Sequence, residues 1–315
     1  MKRYLAAIQL CFYPFLVSAD ESATTNKLLS TFVQSANSEN PTQVAQQAVE
    51  NYALSAANSE MTAYTAELQN ERWKHLSLSL SQDRGELQLE GMSVYGIHED
   101  QNLFLFNQTS LVNYDGRTTL NFGLGARNIN DDETVIMGVN VFYDYEFESL
   151  HRRAGLGAEV ITSVAQLRAN YYKALSGERL HDGIFEEALD GYDVKLTYEL
   201  PYFYSSNTYF ELSRWYGDEG YKVSSREFGI SAEVRPNLLV SLAVNQDDDE
   251  SAQVAASLSY NYVFGSRPDR RVQRDGVFRF ALEPVRHMLY KPVERENRII
   301  KKSSQAAGSI TFSTF

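Results

Sequence analysis

Charged and amide side chains recur at every second position in several segments that are otherwise apolar. They are Arg127, Asn140, Asp144, Arg153, Glu159, Arg168, Asp193, Lys195, Glu199 and Glu211. Acids and bases occur together in this set, so neighbouring members could form ion pairs along one wall of a sheet. Two interpretations are open: a paired wall that only stiffens the fold, or the polar lining of a channel.

Patterns for catalysis and metal binding are weak in this sequence. The five histidines lack metal-ligand spacing, and neither a G-x-S-x-G elbow nor a Walker loop occurs. GLGAR at 123–127 and GLGAE at 155–159 look like phosphate loops, but their glycines alternate as in strands and there make room at a crowded wall. The acidic run 247–250 favours a solvated loop over a calcium site. We predict no enzymatic activity, cofactor or metal. The enzymatic alternative is a Ser, His and acid triad brought together from different strands.

A two-residue period runs through residues 118–162 and indicates strands with two unlike faces. In the first of these segments, Leu120, Phe122 and Leu124 alternate with small or polar residues. Such segments are roughly twice the usual length of a globular strand and match the roughly 9 to 11 residues that a tilted strand needs to cross hydrocarbon. Tyr143 and Tyr145 lie near a segment end, where membrane barrels carry aromatic girdles. We therefore predict a transmembrane β-barrel.

Twelve strand candidates follow one another without a helical interruption, and bacterial single-chain barrels have even strand numbers. They cover residues 75–82, 86–97, 102–114, 118–129, 134–147, 151–162, 165–176, 191–201, 208–217, 223–235, 237–246 and 251–264. The alternation is least regular in 102–114 and 208–217. If the first strand starts in the periplasm, the connections after odd-numbered strands face outside, and these include the longest one, residues 177–190.

The flanks of the predicted barrel divide into further segments. Residues 1–19 have the charged start, apolar core and small-residue cleavage site of a signal peptide, and they contain the single cysteine. Residues 20–72 form a lead followed by a short helical segment, both expected in the periplasm. The barrel itself occupies residues 73–264, a pore linker residues 265–302, and a short surface tail residues 303–315.

Charge is distributed unevenly along the chain. The formal net charge is −12, yet residues 265–302 contain eleven Lys and Arg against five Asp and Glu. A basic tail is usually only solvated, but on an acidic barrel it could thread the lumen. Nucleic acid is an improbable partner for an exported protein. The expected linker residues are Arg286, Arg295, Asn297 and Arg298. Prolines at 284 and 292 argue against one long helix, so we expect an irregular segment with a possible short helix.

Several motifs resemble the inverse autotransporters, the family of intimin and invasin that belongs to type V secretion. They are NFGLGAR at 121–127, GVNVFYDYEF at 138–147, RAGLGAEV at 153–160, ANYYKALSG at 169–177, DGYDVKLTYELPYF at 190–203, WYGDE at 215–219 and PVERENRIIKK at 292–302. The resemblance implies an all-β, twelve-stranded antiparallel barrel in the outer membrane. It also implies a periplasmic N-terminal segment and a linker that passes outward through the pore to an extracellular adhesive passenger.

The sequence departs from the family pattern after Lys301, where only about fifteen residues remain. Adhesion is therefore not carried over, and the expected passenger is essentially absent: the chain is a passenger-less member, a truncated product or an excised barrel domain. The expected function is a translocator that anchors and exports its own C-terminal segment. Its expected partners are outer-membrane lipid, periplasmic chaperones and the barrel-assembly machinery, with any host or cell-surface receptor unknown. The alternative is a small porin-like channel with its tail in the periplasm.

Overall fold

The computed structural model describes residues 72–83, 86–200, 206–235, 237–248, 251–263 and 282–305, which form fifteen strands. The strands are β1 (Trp73–Asp83), β2 (Glu86–Glu99), β3 (Leu103–Tyr114), β4 (Arg117–Ile129), β5 (Val135–Glu146), β6 (Arg152–Thr162), β7 (Ala165–Ala174), β8 (Arg179–His181), β9 (Ile184–Ala188), β10 (Asp190–Glu199), β11 (Ser206–Tyr216), β12 (Lys222–Arg235), β13 (Leu238–Asp247), β14 (Gln253–Val263) and β15 (Lys301–Gln305). The signal peptide and the helical segment predicted before the barrel lie outside the described residues, as do residues 265–281 and 306–315.

Twelve of these strands close into one antiparallel barrel. Their order is β1, β14, β13, β12, β11, β10, β7, β6, β5, β4, β3, β2, so each strand pairs with its sequence neighbours, β7 pairs with β10, and β1 closes the ring against β14. This confirms the predicted twelve-stranded barrel, and every predicted strand boundary lies within two residues of an observed one. No helix in the described residues has the length and apolar character needed to cross a bilayer.

The two faces of the barrel wall have opposite chemistry. In β5 the outward side chains Met137, Val139 and Val141 are each more than half exposed, whereas the intervening Asn140 and Asp144 are buried inside. A soluble protein buries its apolar face, because apolar surface exposed to water is unfavourable. The reversed arrangement matches a lipid-facing exterior and a polar interior.

A small second sheet lies beyond one end of the barrel. It contains β15, β9 and β8 in that order, with β15 and β9 antiparallel. The predicted connection over 177–190 is present between β7 and β10, and it contains a hairpin, β8 and β9, that the sequence analysis did not predict. Asp182 and Gly183 at its tip both have positive φ, 49° and 81°, as a two-residue type I′ turn requires.

The C-terminal segment runs along the barrel from end to end. We call the end at which β1 begins the first end and the end next to β8 and β9 the hairpin end. At the first end the Val285 backbone N–H donates to the Glu133 carbonyl at 2.7 Å, and at the hairpin end the Leu189 N–H donates to the Ile300 carbonyl at 2.9 Å. Between them lies a short 3₁₀ helix, Arg286–Met288, in place of the predicted short helix. A second 3₁₀ turn, Asp218–Gly220, connects β11 to β12.

Candidate functional site

Residues 283–301, which we call the luminal segment, are held inside the barrel largely through their backbone. Arg127 of β4 donates from Nη1 to the carbonyl oxygens of Leu289 and Lys291, both at 2.6 Å. Gln108 of β3 bonds Val293 twice, accepting from its N–H at 2.7 Å and donating to its carbonyl at 3.2 Å. Buried backbone groups without partners are costly, so these wall residues provide the partners that an extended segment lacks.

The same mode of binding continues toward the hairpin end. Arg153 of β6 donates to the Glu296 carbonyl at 2.6 Å, and the hydroxyl of Tyr172 accepts from the Glu296 N–H at 2.8 Å. Asn170 of β7 donates to the Glu294 carbonyl at 3.3 Å. These bonds reach the main chain, so they do not depend on the side chains of the segment.

Asp144 forms the strongest side-chain link between wall and segment. Arg295 donates from Nη1 and Nη2 to the two carboxylate oxygens, each at 2.7 Å, while Arg153 donates from Nε to Oδ2 at 2.8 Å. All three side chains are at most 1% exposed. The guanidinium of Arg295 also lies 4.3 Å from the ring centroid of Phe142, a favourable cation–π contact.

The other predicted inward residues also lie on the inner wall. Glu159 contacts Arg127 at 2.7 Å and Arg168 at 3.5 Å, and Lys195 pairs with Glu211 at 3.0 Å. The remaining predicted wall residues are placed as follows: Asn140 beside Gly157, Asp193 accepting from Asn170 and Tyr172, and Glu199 accepting from Gln166. The wall is therefore mixed in charge, and both arginines and carboxylates of the wall contact the luminal segment.

The four linker residues expected from the sequence occupy different positions. Arg295 contacts Asp144, and Asn297 donates to Glu90 of β2 at 2.6 Å, so both join the segment to the wall. Arg298 pairs with Glu296 of its own segment, and its guanidinium also lies 4.7 Å from the ring centroid of Tyr114 of β3. Arg286 lies at the first end, where it bonds the carboxylate of Glu133 at 2.7 Å and the carbonyl of Gln101.

A charge network that the sequence interpretation did not identify closes the hairpin end. Lys301 donates to Glu146 of β5 at 2.6 Å, and Arg117 of β4 bonds both Glu146, at 3.1 Å, and Glu186 of β9, at 2.5 Å. The network thus joins the luminal segment, the barrel rim and the small sheet. Alternation marks Glu146 as inward, but its partners come from elements far apart in sequence.

An apolar cluster lies at the opposite, first end of the lumen. Val285, Met288 and Leu289 of the segment pack against four wall side chains, and all seven are buried. The wall members are Phe104, Ile129, Ile136 and Ile161. They belong to the ends of four neighbouring strands, β3 to β6. Burial of apolar surface therefore stabilises the luminal segment at the end where it enters the barrel.

Two glycines of β4 make room for wall aromatics, as the sequence pattern predicts. A Cβ at Gly125 would overlap the ring of Phe106, and one at Gly123 would overlap the ring of Phe142. Each glycine is the cross-strand partner of that aromatic residue. The ring of Phe106 in turn lies 4.7 Å from the guanidinium of Arg127. Sequence reasoning missed these inward aromatics, although a glycine opposite an aromatic residue is a readable signal.

His151 lies in the connection between β5 and β6 at the hairpin end. It is fully buried, and its Nδ1 lies 2.9 Å from the hydroxyl oxygen of Ser176. Burial lowers the pKa of His151 to about 4. Within the described part of the chain, no three His, Cys, Asp or Glu side chains lie together in a way that could hold a metal ion.

The luminal segment leaves part of the lumen open. A cavity of about 460 Å³ lies beside it, lined mainly by β10 to β14 and β1 and also by Gln88 of β2, Tyr114 of β3 and Gln166 of β7. It extends from Tyr114, next to the turn at the hairpin end, to Glu199, the last residue of β10 at the first end. Most of its wall residues are serines, alanines and other small or uncharged polar residues.

Comparison with known proteins agrees with this architecture. The family model described as "Inverse autotransporter, beta-domain" matches residues 23–297. The chain is 26% identical over 202 residues to "Inverse autotransporter adhesin YeeJ" of Escherichia coli K12, covering 63% of this chain and 8% of that protein. It is 30% identical over 129 residues to the "Putative attaching and effacing protein homolog" of the same organism, covering 40% of this chain and 43% of that protein. The chain thus spans less than half the length of either relative.

One solved structure has the same fold. It comes from work on the mechanism behind the in-meso crystallization of membrane proteins, and it superposes with a TM-score of 0.61 at 18% sequence identity. The match covers 73% of this chain and the whole of that one.

Proposed function

Because this chain belongs to the inverse autotransporter β-domain family, we propose that its outer-membrane barrel anchors its own C-terminal segment and exports it to the cell surface. The observation that carries this proposal is the course of the luminal segment, which crosses the barrel from the first end to the hairpin end. A tail used only in the periplasm has no reason to bond with both ends of the lumen.

The position of the longest connection supports the direction of export. Only residues 163 and 164 connect β6 to β7 at the first end, whereas the connection between β7 and β10 at the hairpin end contains a whole β-hairpin. Membrane barrels of bacteria have short periplasmic turns and longer outer loops. The first end then faces the periplasm together with the N-terminus, and the C-terminus reaches the surface.

The bonding pattern suits a wall that must first pass a chain and then hold it. Contacts to backbone carbonyls, such as those from Arg127 and Arg153, accept any residue in the segment. Side-chain contacts of Arg295, Asn297 and Lys301 fix one final register. The steps before this state, chaperoned transit of the periplasm, insertion by the assembly machinery and exit of the C-terminus as a hairpin, belong to the same proposal and need no cofactor.

A small porin-like channel is the second candidate function, and the cavity beside the luminal segment favours it. That candidate placed the tail in the periplasm, outside the barrel. The bonds from Gln108 and Asp144 to residues 293 and 295 oppose this placement. Planar-bilayer conductance of the purified barrel tests whether the barrel conducts ions with the luminal segment inside it.

The test of export is protease accessibility of a tag in intact cells. A tag after Phe315 should be cleaved, as should one inserted at the Asp182 turn of the hairpin end. A tag inserted at the Ser163 turn of the first end should stay protected, as should a periplasmic marker protein. Protection of the tag after Phe315 until the outer membrane is opened would overturn the proposal.

A further inference from the structure

Three basic side chains lie close together on the outer surface of the barrel, near the hairpin end. They are Arg214 of β11 and Lys222 and Arg226 of β12. Their sequence neighbours Trp215 and Glu227 belong to the inner face, where Trp215 packs in an apolar cluster and Glu227 lines the cavity. Neighbouring positions of a strand face opposite sides of a sheet, so the three bases face outward. We call them the basic triangle.

The register of the two strands makes this group compact. Arg214 lies directly opposite Ser224, and Lys222 and Arg226 are the next outward positions on either side of that serine. Diagonal neighbours of this kind are roughly 7–8 Å apart in an antiparallel pair. The three positive charges therefore surround one small residue and leave room for a small anionic group between them.

The charges of the basic triangle are not neutralised by the part of the chain that the structure describes. Arg214 donates from Nε to the hydroxyl oxygen of Ser224 at 2.7 Å, and a guanidinium has four further N–H donors. Lys222 and Arg226 are exposed, and no described carboxylate forms an ion pair with any of the three bases. Lys173, another outward base at this end, is different because it pairs with Asp190.

Two tyrosines indicate the depth of the basic triangle in the membrane. Tyr192 of β10 lies directly opposite Arg214, and Tyr216 lies directly opposite Lys222. Their ring centroids are 6.3 Å apart. Membrane barrels carry aromatic girdles at the interfaces, and there Arg and Lys on the outer face are tolerated far better than at the middle of the bilayer. The basic triangle therefore lies at the level of the lipid headgroups.

Apolar side chains begin directly beside the basic triangle, on the side toward the first end. Leu212 lies opposite Arg226, and in the next outward layer Phe210 lies opposite Phe228. The two phenylalanines are 42% and 52% exposed. One surface thus offers positive charge at the headgroup level and apolar contacts below it, which is the polarity that an anionic lipid requires.

We propose that the basic triangle binds the phosphorylated headgroup of a glycolipid of the outer leaflet, whose acyl chains lie over Leu212, Phe210 and Phe228. Arg and Lys bind phosphate oxygens through charge-assisted hydrogen bonds, and basic clusters at a membrane surface recognise anionic headgroups. The outer-leaflet glycolipid with this chemistry is lipopolysaccharide, whose lipid A carries phosphates on a pair of sugars. The choice of leaflet rests on the outward position of the hairpin end proposed above, whereas the anionic lipid site does not.

The first test measures the binding of lipid A to the purified full chain in a neutral detergent by native mass spectrometry. Lys222→Gln combined with Arg226→Gln removes two charges from the basic triangle and leaves Arg214 in place. The matched control, Arg152→Gln combined with Lys173→Gln, removes two charges from outward positions of β6 and β7 at the same end. We expect the Kd for bisphosphorylated lipid A to rise at least tenfold in the first variant and to change less than twofold in the control.

Three results of this test would overturn the proposal. Equal weakening in both variants would mean that net charge alone attracts the lipid. Equally tight binding of lipid A without phosphates would mean that the basic triangle does not bind the phosphates. Tighter binding of phosphatidylglycerol than of lipid A would overturn the assignment to a glycolipid.

The second test locates the bound lipid in the membrane of intact cells. The photoreactive residue p-benzoylphenylalanine in place of Tyr216 should cross-link to lipopolysaccharide. In place of Thr208, an outward residue of the same strand toward the first end, it should not. Cross-linking from Thr208 alone would overturn the choice of leaflet together with the proposed direction of export. Surface cleavage of a tag after Phe315 without cross-linking from Tyr216 would overturn the lipid site and leave the export function standing.

Discussion

Asp144 accepts a hydrogen bond from each terminal nitrogen of Arg295, both at 2.7 Å, inside the lumen near the hairpin end, where both side chains are buried. The same carboxylate accepts from Arg153 at 2.8 Å. One acid of the wall therefore compensates one arginine of the wall and one of the luminal segment.

This sharing predicts unequal effects of removing either partner. Asp144→Asn leaves two buried guanidinium groups without their counter-charge and should lower the free energy of unfolding by about 3–5 kcal/mol. Arg295→Met should cost less, because Asp144 keeps Arg153. Unfolding by urea in detergent micelles, followed by tryptophan fluorescence, measures both. The more exposed pair of Lys173 provides the control, since Lys173→Met should cost less than about 1 kcal/mol. Equal losses in the first two variants would show that Asp144 is not shared.

Gln108 should hold the middle of the luminal segment in place. Gln108→Leu leaves the buried N–H and C=O of Val293 without partners, at about 1–3 kcal/mol for each group. We expect the Val293 amide to exchange its hydrogen at least tenfold faster, measured by mass spectrometry. The control is Asn107→Leu at the neighbouring outward-facing position, where the Asn107 side-chain amide donates to the Gly123 carbonyl. This substitution should leave the exchange rate of the Val293 amide unchanged. An unchanged exchange rate of the Val293 amide in Gln108→Leu would contradict the expectation that Gln108 holds the backbone of the luminal segment.

The space that Gly125 leaves for Phe106 predicts a compensating pair of substitutions. Gly125→Ala places a methyl group into the ring of Phe106 and should destabilise the barrel by about 1–3 kcal/mol, the usual cost of overpacking. Phe106→Leu combined with Gly125→Ala should recover part of the loss. Gly177→Ala, where no atom lies within 4 Å of the added methyl, should be neutral. Additive losses in the double variant would refute the steric explanation.

His151 should make stability depend on pH. Its pKa in the folded protein is lowered to about 4 by burial, so between the ordinary value of 6.5 and about 4 the unfolded chain binds more protons than the folded one. Stability contributed by the neutral imidazole is present above pH 6.5 and is lost as the pH falls toward 4, by at most about 1.4 kcal/mol per pH unit. The charged and polar groups that face the ring are Glu146, Lys301, Glu186, Arg179 and Ser176.

The measurement is the difference in unfolding free energy between the unsubstituted protein and His151→Gln at pH 7, 6, 5 and 4. Nearby Glu148 has its pKa raised by burial, which gives a slope of the opposite sign, but it contributes equally to both proteins and cancels. A difference that does not change with pH would mean that His151 is not protonated on unfolding in this range.

Much of the wall could be predicted because a strand has a period of two. Alternation alone places Arg127, Asp144 and Arg153 on the inner face, and the structure has them there, fully buried. Their partners could not be read in the same way. Which wall residue meets residue 295 depends on barrel closure, strand register and the path of the segment, none of which is a local property of the sequence.

The irregular alternation of β3 has a physical cause. Phe104 and Phe106 face inward and alternate with the outward-facing Leu103 and Leu105, so both faces of the strand are apolar at this end. The inward phenylalanines are needed there, Phe104 for the apolar cluster at the first end and Phe106 for the contact with Arg127. The apolar residues on the inner face of β3, which interrupt the usual alternation, thus mark part of the surface that binds the luminal segment.

The small sheet escaped prediction for a different reason. Strands of three and five residues, such as β8 and β15, carry too few positions for a periodic signal. The Asp182-Gly183 pair was nevertheless a readable turn signal. β15 is a strand only through its hydrogen bonds to the edge of β9. This contact joins distant parts of the chain, and it exists only once the luminal segment has reached the hairpin end.

The apolar cluster at the first end has a mechanical consequence. A force on the chain beyond Gln305, directed from the first end toward the hairpin end, would have to drag Val285, Met288 and Leu289 away from their apolar contacts and past the guanidinium of Arg127. The wall also bonds the luminal segment at residues 289, 291, 293 and 296, so such a pull is resisted at several positions along its length. The apolar cluster at the first end therefore resists displacement of the luminal segment toward the hairpin end.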